Sequence, residues 1–397
     1  MRARLVGMVA ALSALAGVVI ACGGSKRSQL IASSGQNVAP VAVSNGPTGN
    51  YVNGLFASVT VCVPSTSNCQ TIPDVLVDTG STGLRILGTA LTISLSPQNA
   101  SNGNPMAECL PFISGFTWGP VESADVKIAG ETATAVPVQV IDESKFPVPT
   151  ACKNLGVTSL DTLQTLGANG VLGIGLFAQD CGGGCVQTGS SNPGLYYACP
   201  AAGCQVTAVP LAQQVQNPVA MFASDNNGIV LQLPAVTAPE SGLNGSLVFG
   251  IGTQSNNALG GATVYTVDQF GNFTTTYKGT AYSNSFVDSG SNGYFFLSSG
   301  ATGIPDCSMD TSFYCPASTQ KLSATNQGAN GGSGSVSFSV ANAQSLFANT
   351  GASTFNNLGG PGSGGFDWGL PFFFGRNVFV GIEGKTSPGG TGPYWAY

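Results

Sequence analysis

The chain has 397 residues, 43% of them hydrophobic and only 8% charged, with a formal net charge of −6. The length suggests roughly two or three domains with a sizeable core, and the charge balance offers no basic face for nucleic acid or anionic lipid. Histidine is absent, which excludes Ser–His and Cys–His nucleophilic pairs and His-ligated metals, and leaves acid–base chemistry to carboxylates.

In chain order, Arg2 and Arg4 precede an apolar run from Leu5 to Ile20. It has the shape of a signal-peptide core, residues 1–21, and is short for a membrane span. The run closes on Val19-Ile20-Ala21-Cys22, which resembles a bacterial lipobox. The resemblance implies cleavage before Cys22, a lipid on its sulfur, and a membrane-anchored protein of the cell envelope. Gly23 is not the aspartate that retains such proteins at the inner membrane, so the expected place is the outer membrane, facing the periplasm or the cell surface. Residues 22–48 read as a flexible tether. With Cys22 set aside, ten cysteines remain, and an even number in an exported chain reads as a disulfide framework. Cys62 and Cys69, Cys181 and Cys185, Cys199 and Cys204, and Cys307 and Cys315 are close neighbours that would close short loops. Cys109 is then left with Cys152. Cys181-Gly-Gly-Gly-Cys185 has a metal-like spacing but no further ligands near it, so a disulfide is expected there.

Beyond the tether, NGLFASVTVCV alternates as a strand, PSTSNCQTIPD turns, and VLVD is the next strand. Strand-like runs recur as ADVKIAG, AVPVQVID, GVLGIGLF, NGIVLQL, GSLVFGIG, NSFVDSG, GYFFL, GSVSFSV and NVFVGIEG, separated by Gly, Asn, Pro and Ser clusters. Helical stretches are few, at 159–167, 210–216 and 341–348. With 56 glycines, this is the pattern of a turn-rich all-β protein. Phe372-Phe373-Phe374 reads as core, because three adjacent exposed phenylalanines would form an aggregating patch.

One segment repeats. VLVDTGSTG, from Val75, and NSFVDSGSNG, from Asn284, each run an apolar approach into Asp, a hydroxyl residue, Gly, Ser, a polar residue and Gly. GVLGIGLF, with Val171-Leu172-Gly173, is echoed by FDWGLPFFFG, with Trp368-Gly369-Leu370. Two similar halves, 49–233 and 234–397, would each supply one Asp loop. Carboxylates about 3 Å apart cannot both ionise cheaply, so Asp78 and Asp288 would share one proton and activate a water between them. Gly80 and Gly290 would let the loops approach, Thr79 and Ser289 would bond across the dyad, and Ser81 and Ser291 would hold the outer carboxylate oxygens. A single DTGS is ordinary turn chemistry, and it also resembles the Asp segment of subtilisin-like proteases, which need His. Two copies in matching context are much more specific.

Together these motifs resemble the pepsin-like aspartic proteases over most of residues 50–397. GSLVFG at 245–250 is similar to the strand opening that family's second lobe, and PLAQQVQNPVAMFA to the segment leading towards its interlobe crossover. The resemblance implies a bilobal all-β fold with two related barrel-like lobes and few short helices. It also implies an aspartic endopeptidase with a peptide or protein substrate bound in the interlobe cleft, a reading that calls for neither a metal nor an organic cofactor. The match departs at the flap, which in the family presents a Tyr. The candidate here, residues 112–119, puts Phe112 at that position and carries Phe116 and Trp118 as further flap or substrate residues. The Trp that pairs with the flap Tyr is replaced by Arg85, which reads as a salt-bridge or surface residue. These losses motivate a rival expectation, a non-catalytic lipoprotein that binds a peptide or envelope partner in the same cleft.

Overall fold

The computed structural model describes residues 31–154 and 158–397; Cys22 and the expected signal segment lie outside the described residues. Its architecture follows from period-two burial of β-branched and aromatic side chains. In the strand Cys69–Asp78, for example, exposure alternates at first and then gives way to four buried residues at its end. Such an ending is the signature of a strand covered on both faces. Among the described residues, the strands gather into a 17-stranded sheet, a seven-stranded sheet and a two-stranded ribbon. The helices are single turns, such as Leu163–Leu166 and Ala343–Phe347. The expected helix at 210–216 is only the 3₁₀ turn Leu211–Gln213.

The two halves repeat one local arrangement. In the first, Cys69–Asp78 runs parallel to Gly170–Ile174, with Asp78 opposite Gly173, and Gly170–Ile174 also pairs antiparallel with Thr82–Leu87. In the second, Thr280–Val287 runs parallel to Asp367–Trp368, which pairs antiparallel with Tyr294–Phe296. Each half thereby threads its Asp loop between a strand that enters and a strand that leaves, both held by a third. Glycine is required in or just after that third strand, since a Cβ on Gly173 would meet the Thr82 backbone at 2.7 Å and one on Gly369, directly after Trp368, would meet the Gly293 carbonyl at 2.1 Å.

Strands from both ends of the chain join the halves. Val38–Ser44 pairs with Leu243–Phe249 on one side and with the start of Gly54–Cys62 on the other. Gly228–Leu233 pairs with Leu243–Phe249 and with Arg376–Gly381. This corrects the expected tether. In the described part of residues 22–48, Val38–Ser44 is a largely buried strand. Ala32 is also tied down, its N–H donating to Gln232 Oε1 at 2.8 Å. The core is aromatic in the second half, where Phe296, Phe366 and Trp368 stack in series, and Phe372, Phe373 and Phe374 are buried there. Five disulfides join Cys62–Cys69, Cys109–Cys152, Cys181–Cys185, Cys199–Cys204 and Cys307–Cys315.

Candidate active site

The two Asp loops meet at the junction of the halves, and the contacts that join them are reciprocal. Thr79 N–H donates to Ser289 Oγ at 3.1 Å, and Ser289 N–H donates to Thr79 Oγ1 at 2.9 Å. Ser289 Oγ donates in turn to the Val77 carbonyl at 2.8 Å. Both hydroxyl residues are buried, so these bonds are shielded from competing water. They bring the loops close enough that a Cβ on Gly80 would lie 2.5 Å from Asp288 Cγ, and one on Gly290 would lie 2.8 Å from Asp78 Cγ. Only glycine fits at either position.

Around this symmetric frame the carboxylates are held unequally. Asp78 accepts from Gly80 N–H at 2.8 Å, from Ser81 N–H at 3.2 Å and from Ser81 Oγ at 2.5 Å. Asp288 accepts from Gly290 N–H at 2.7 Å, but Ser291 Oγ stands 3.1 Å from it while lying 2.5 Å from Asp367 Oδ2. Burial first, then the charge of Asp78 and of Asp367, hold the Asp288 carboxyl well above the usual carboxylate range. Hydrogen bonding therefore favours a charged carboxyl less at Asp288 than in the first loop, where three donors converge.

A cavity opens on each side of the carboxylates. One, of about 290 Å³, is lined by Gly80, Ser81, Phe177, Phe270 and Phe286. The other, of about 650 Å³, is lined by Tyr51, Ser114, Asn292, Phe313, Phe347 and Phe355. The first adjoins the first Asp loop through Gly80 and Ser81, and the second, which mixes aromatic rings with Asn, Gln and Thr side chains, adjoins the second loop through Asn292. Among the described residues, no group of three His, Cys, Asp or Glu side chains is arranged to hold a metal ion.

The flap expectation needs correction. Met106–Pro111 and Gly115–Ile128 do form a hairpin, with a turn closed by Phe112 N–H donating to the Gly115 carbonyl at 2.6 Å. Its tip is Ile113, which is 88% exposed, and Ser114. Phe116 and Trp118 point away from the cleft, into a cluster with the Cys109–Cys152 disulfide and Tyr197. The Trp118 indole N–H is already committed to the Phe146 carbonyl at 2.9 Å. Phe112 packs beneath the hairpin against the cluster that holds Phe56, Leu76 and Leu160. None of the three lines either cavity.

Of the two readings of Arg85, salt bridge or surface, the structure has the salt bridge. The side chain is fully buried, with Nη2 at 2.8 Å from Glu108 and 2.9 Å from Asp180. Its Nη1 donates to the Thr82 carbonyl at 2.7 Å, so the ion centre braces the strand that leaves the first Asp loop. Tyr196 OH donates to the other Asp180 oxygen at 2.7 Å. Burial, then Glu108, raise the Asp180 carboxyl well above its usual range against the opposing pull of Arg85. The group thus sets one buried guanidinium against two buried acids.

Two residues at the site escape sequence reasoning. Tyr51 lines the larger cavity, its ring set edge-on to Phe56 at 5.5 Å. Burial, then the charges of Asp78 and Asp288, push its phenol up to about 12. A lone Tyr beside the expected tether carried no signal. Asp367 did carry one, an acid inside the apolar run FDWGL, but no hydroxyl–glycine pair follows it to mark it as a loop carboxylate.

With this geometry in hand, the comparisons are informative about fold. The structure is similar to that of the aspartic proteinase from Irpex lacteus, with a TM-score of 0.52 and 17% sequence identity over 90% of this chain and 96% of that one. Similarity at that identity establishes the bilobal, all-β pepsin-like architecture. No curated protein matches the sequence. The family described as "Protein of unknown function (DUF3443)" matches residues 33–397, and the chain belongs to it.

Proposed function

We propose that the chain is an aspartic endopeptidase, anchored in the cell envelope by a lipid on Cys22, that hydrolyses peptide bonds with a water activated between Asp78 and Asp288. The observation that carries this reading is the reciprocal bonding of Thr79 and Ser289, which holds two carboxylates from loops 210 residues apart within reach of one solvent molecule. The ionised Asp78 takes a proton from that water as its oxygen adds to the scissile carbonyl carbon. Asp288 gives its proton to the carbonyl oxygen, forming a neutral tetrahedral diol with no covalent enzyme adduct. Asp78 then passes its proton to the amide nitrogen while Asp288 takes one from a diol hydroxyl, and the C–N bond breaks to leave a carboxylic acid, an amine and the dyad in its starting state. The substrate is an extended peptide lying in the interlobe cleft in β-strand fashion.

The test is cleavage of an unfolded protein at mildly acidic pH by wild type and by Asp78→Asn, both checked for folding by circular dichroism. The variant loses activity on the order of 10⁴-fold or more, because the water loses its base. Equal activity in the two sinks the assignment. The anchor is tested separately, by incorporation of labelled palmitate that is absent in Cys22→Ala.

A second reading is favoured by the hairpin, whose expected Tyr position holds Phe112 and whose other aromatics face inward. In it the chain binds a peptide without cutting it. A statine peptide, which mimics the tetrahedral intermediate, separates the two. Tight binding lost in Asp78→Asn and in Asp288→Asn supports the enzyme, and no binding at any acidic pH supports the carrier.

A further inference from the structure

Ser291 has one hydroxyl hydrogen and two carboxylate neighbours. Its Oγ lies 2.5 Å from Asp367 Oδ2 and 3.1 Å from Asp288 Oδ2. The first loop has no such competition, since Ser81 Oγ serves Asp78 alone. If Asp367 were an anion, the hydrogen would go to the shorter contact, and Asp288 would face the serine's lone pairs. Asp367 would also be a nearly buried charge whose second oxygen, Oδ1, has no partner, an expensive arrangement. A neutral Asp367 removes both problems. Its O–H donates to Ser291 Oγ, and Ser291 is then free to donate to Asp288.

We propose that Asp367 is a positioning residue for the dyad, a third carboxyl that is kept neutral so that Ser291 is turned towards Asp288. The groups facing it are consistent with that state. Asp78 is the nearby charge, of the same sign, and Asp288 is the nearby acid. The strand antiparallel to it presents Tyr294, whose ring meets Trp368, and Tyr282 lies beyond Phe366. Arg376, further along the chain, sets its guanidinium over the Phe372 ring at 4.5 Å. Arg85 gives its ion pairs to Glu108 and Asp180, not to Asp367. Burial pushes the Asp367 carboxyl up to about 8, against the opposing hydrogen bond from Ser291. The chain of donors therefore holds through acidic and neutral pH and breaks above it.

The proposal rests on the endopeptidase reading for its kinetic test, and a second measurement stands apart from catalysis. Asp367→Asn keeps a donor to Ser291 and cannot ionise, whereas Asp367→Leu has no donor. At pH 5 the Asn variant keeps kcat within about threefold of wild type and the Leu variant loses about tenfold or more, with KM unchanged in both. Above neutral pH wild type gains a loss of activity that the Asn variant lacks. Superimposable pH profiles for wild type and Asn, with equal kcat for Asn and Leu, overturn the assignment. Thermal unfolding gives the independent arm. The Tm of Asp367→Asn rises relative to wild type between pH 5 and pH 9, because only wild type must bury an anion there. A difference in Tm that does not change with pH overturns the neutral Asp367 even if the protein cuts nothing. A rising difference in a protein that cuts nothing supports the protonation state and refutes only the endopeptidase.

Discussion

Replacing Gly80 by alanine adds one methyl group, and the structure says where it goes. The new Cβ would lie 2.5 Å from Asp288 Cγ, 2.6 Å from its Oδ2 and 2.8 Å from its Oδ1. Ordinary carbon contacts begin near 3.4 Å, so the two loops must separate by about 0.9 Å. Neither can yield easily. The backbones are locked by Thr79 and Ser289, and the Asp288 carboxylate is held by Gly290 N–H and Ser291. Gly80 does not have a positive φ, so alanine is free of backbone strain and the substitution probes spacing alone. The overpacking costs about 1–3 kcal/mol of stability, too little to unfold a domain of this size. A misplacement near 1 Å at reacting groups costs about 100-fold in rate. We therefore expect Gly80→Ala to fold with an unchanged circular dichroism spectrum, to lose about 100-fold in kcat on an unfolded-protein substrate, and to bind a statine peptide correspondingly more weakly. Gly290→Ala, whose Cβ meets Asp78 Cγ at 2.8 Å, is the mirror test from the other loop. A folded Gly80→Ala enzyme that works within threefold of wild type would refute the argument that the two carboxylates act as one closely spaced pair.

Three other perturbations test the frame around the dyad. Arg85→Met leaves Glu108 and Asp180 buried without their cation and should destabilise by about 3–5 kcal/mol in urea unfolding. Asp180→Asn should match wild type below about pH 4 and become more stable than it as pH rises. The raised folded-state pKa of Asp180 makes wild-type stability fall with pH once the unfolded-state carboxyl, near 3.9, has titrated; a urea midpoint difference that is the same at pH 5 and pH 8 would contradict this. Opening Cys109–Cys152, whose sulfurs close a loop with a sequence separation of 43, by Cys109→Ser with Cys152→Ser should cost about 4 kcal/mol, read from the shift in denaturant midpoint.

The parts of this site that were legible in the sequence are those whose signal is local. Each Asp loop carries its own hydroxyls and glycines, so the repeat announces itself, and four of the five disulfides join near neighbours along the chain. What escaped was decided by partners far away. Val38–Ser44 contains a Pro and two Ala, and looks like tether because its β-structure comes from Leu243–Phe249 about 200 residues on. Phe116 and Trp118 share one face of their strand by period two, but the sequence does not say which face. The Cys109–Cys152 disulfide and Tyr197 settle it by forming the core they enter. Arg85 lies in a fully buried strand, and its acids stand 23 and 95 positions away, so the sequence left salt bridge and surface both open for it.

The two halves share a backbone plan but not a charge plan, and the difference bears on which carboxylate does what. Seven residues after each loop Asp, the first half places Arg85 and the second places Phe295. The first half thus carries a buried cation with its two acids, while the second carries only the acid Asp367 beside its loop. On the first side, Asp78 collects three donors, and the neighbouring ion centre is already neutralised by its own acids. On the second, Asp288 has one backbone donor and a serine whose hydrogen depends on a third carboxyl. Extra donors stabilise an anion, and like charge with burial stabilises a neutral acid. A quasi-symmetric fold therefore holds its two Asp side chains unequally, and under the proposed mechanism the first half would supply the base and the second the acid. Moving a carboxylate's donors, without touching either Asp, should be enough to exchange or blur those roles.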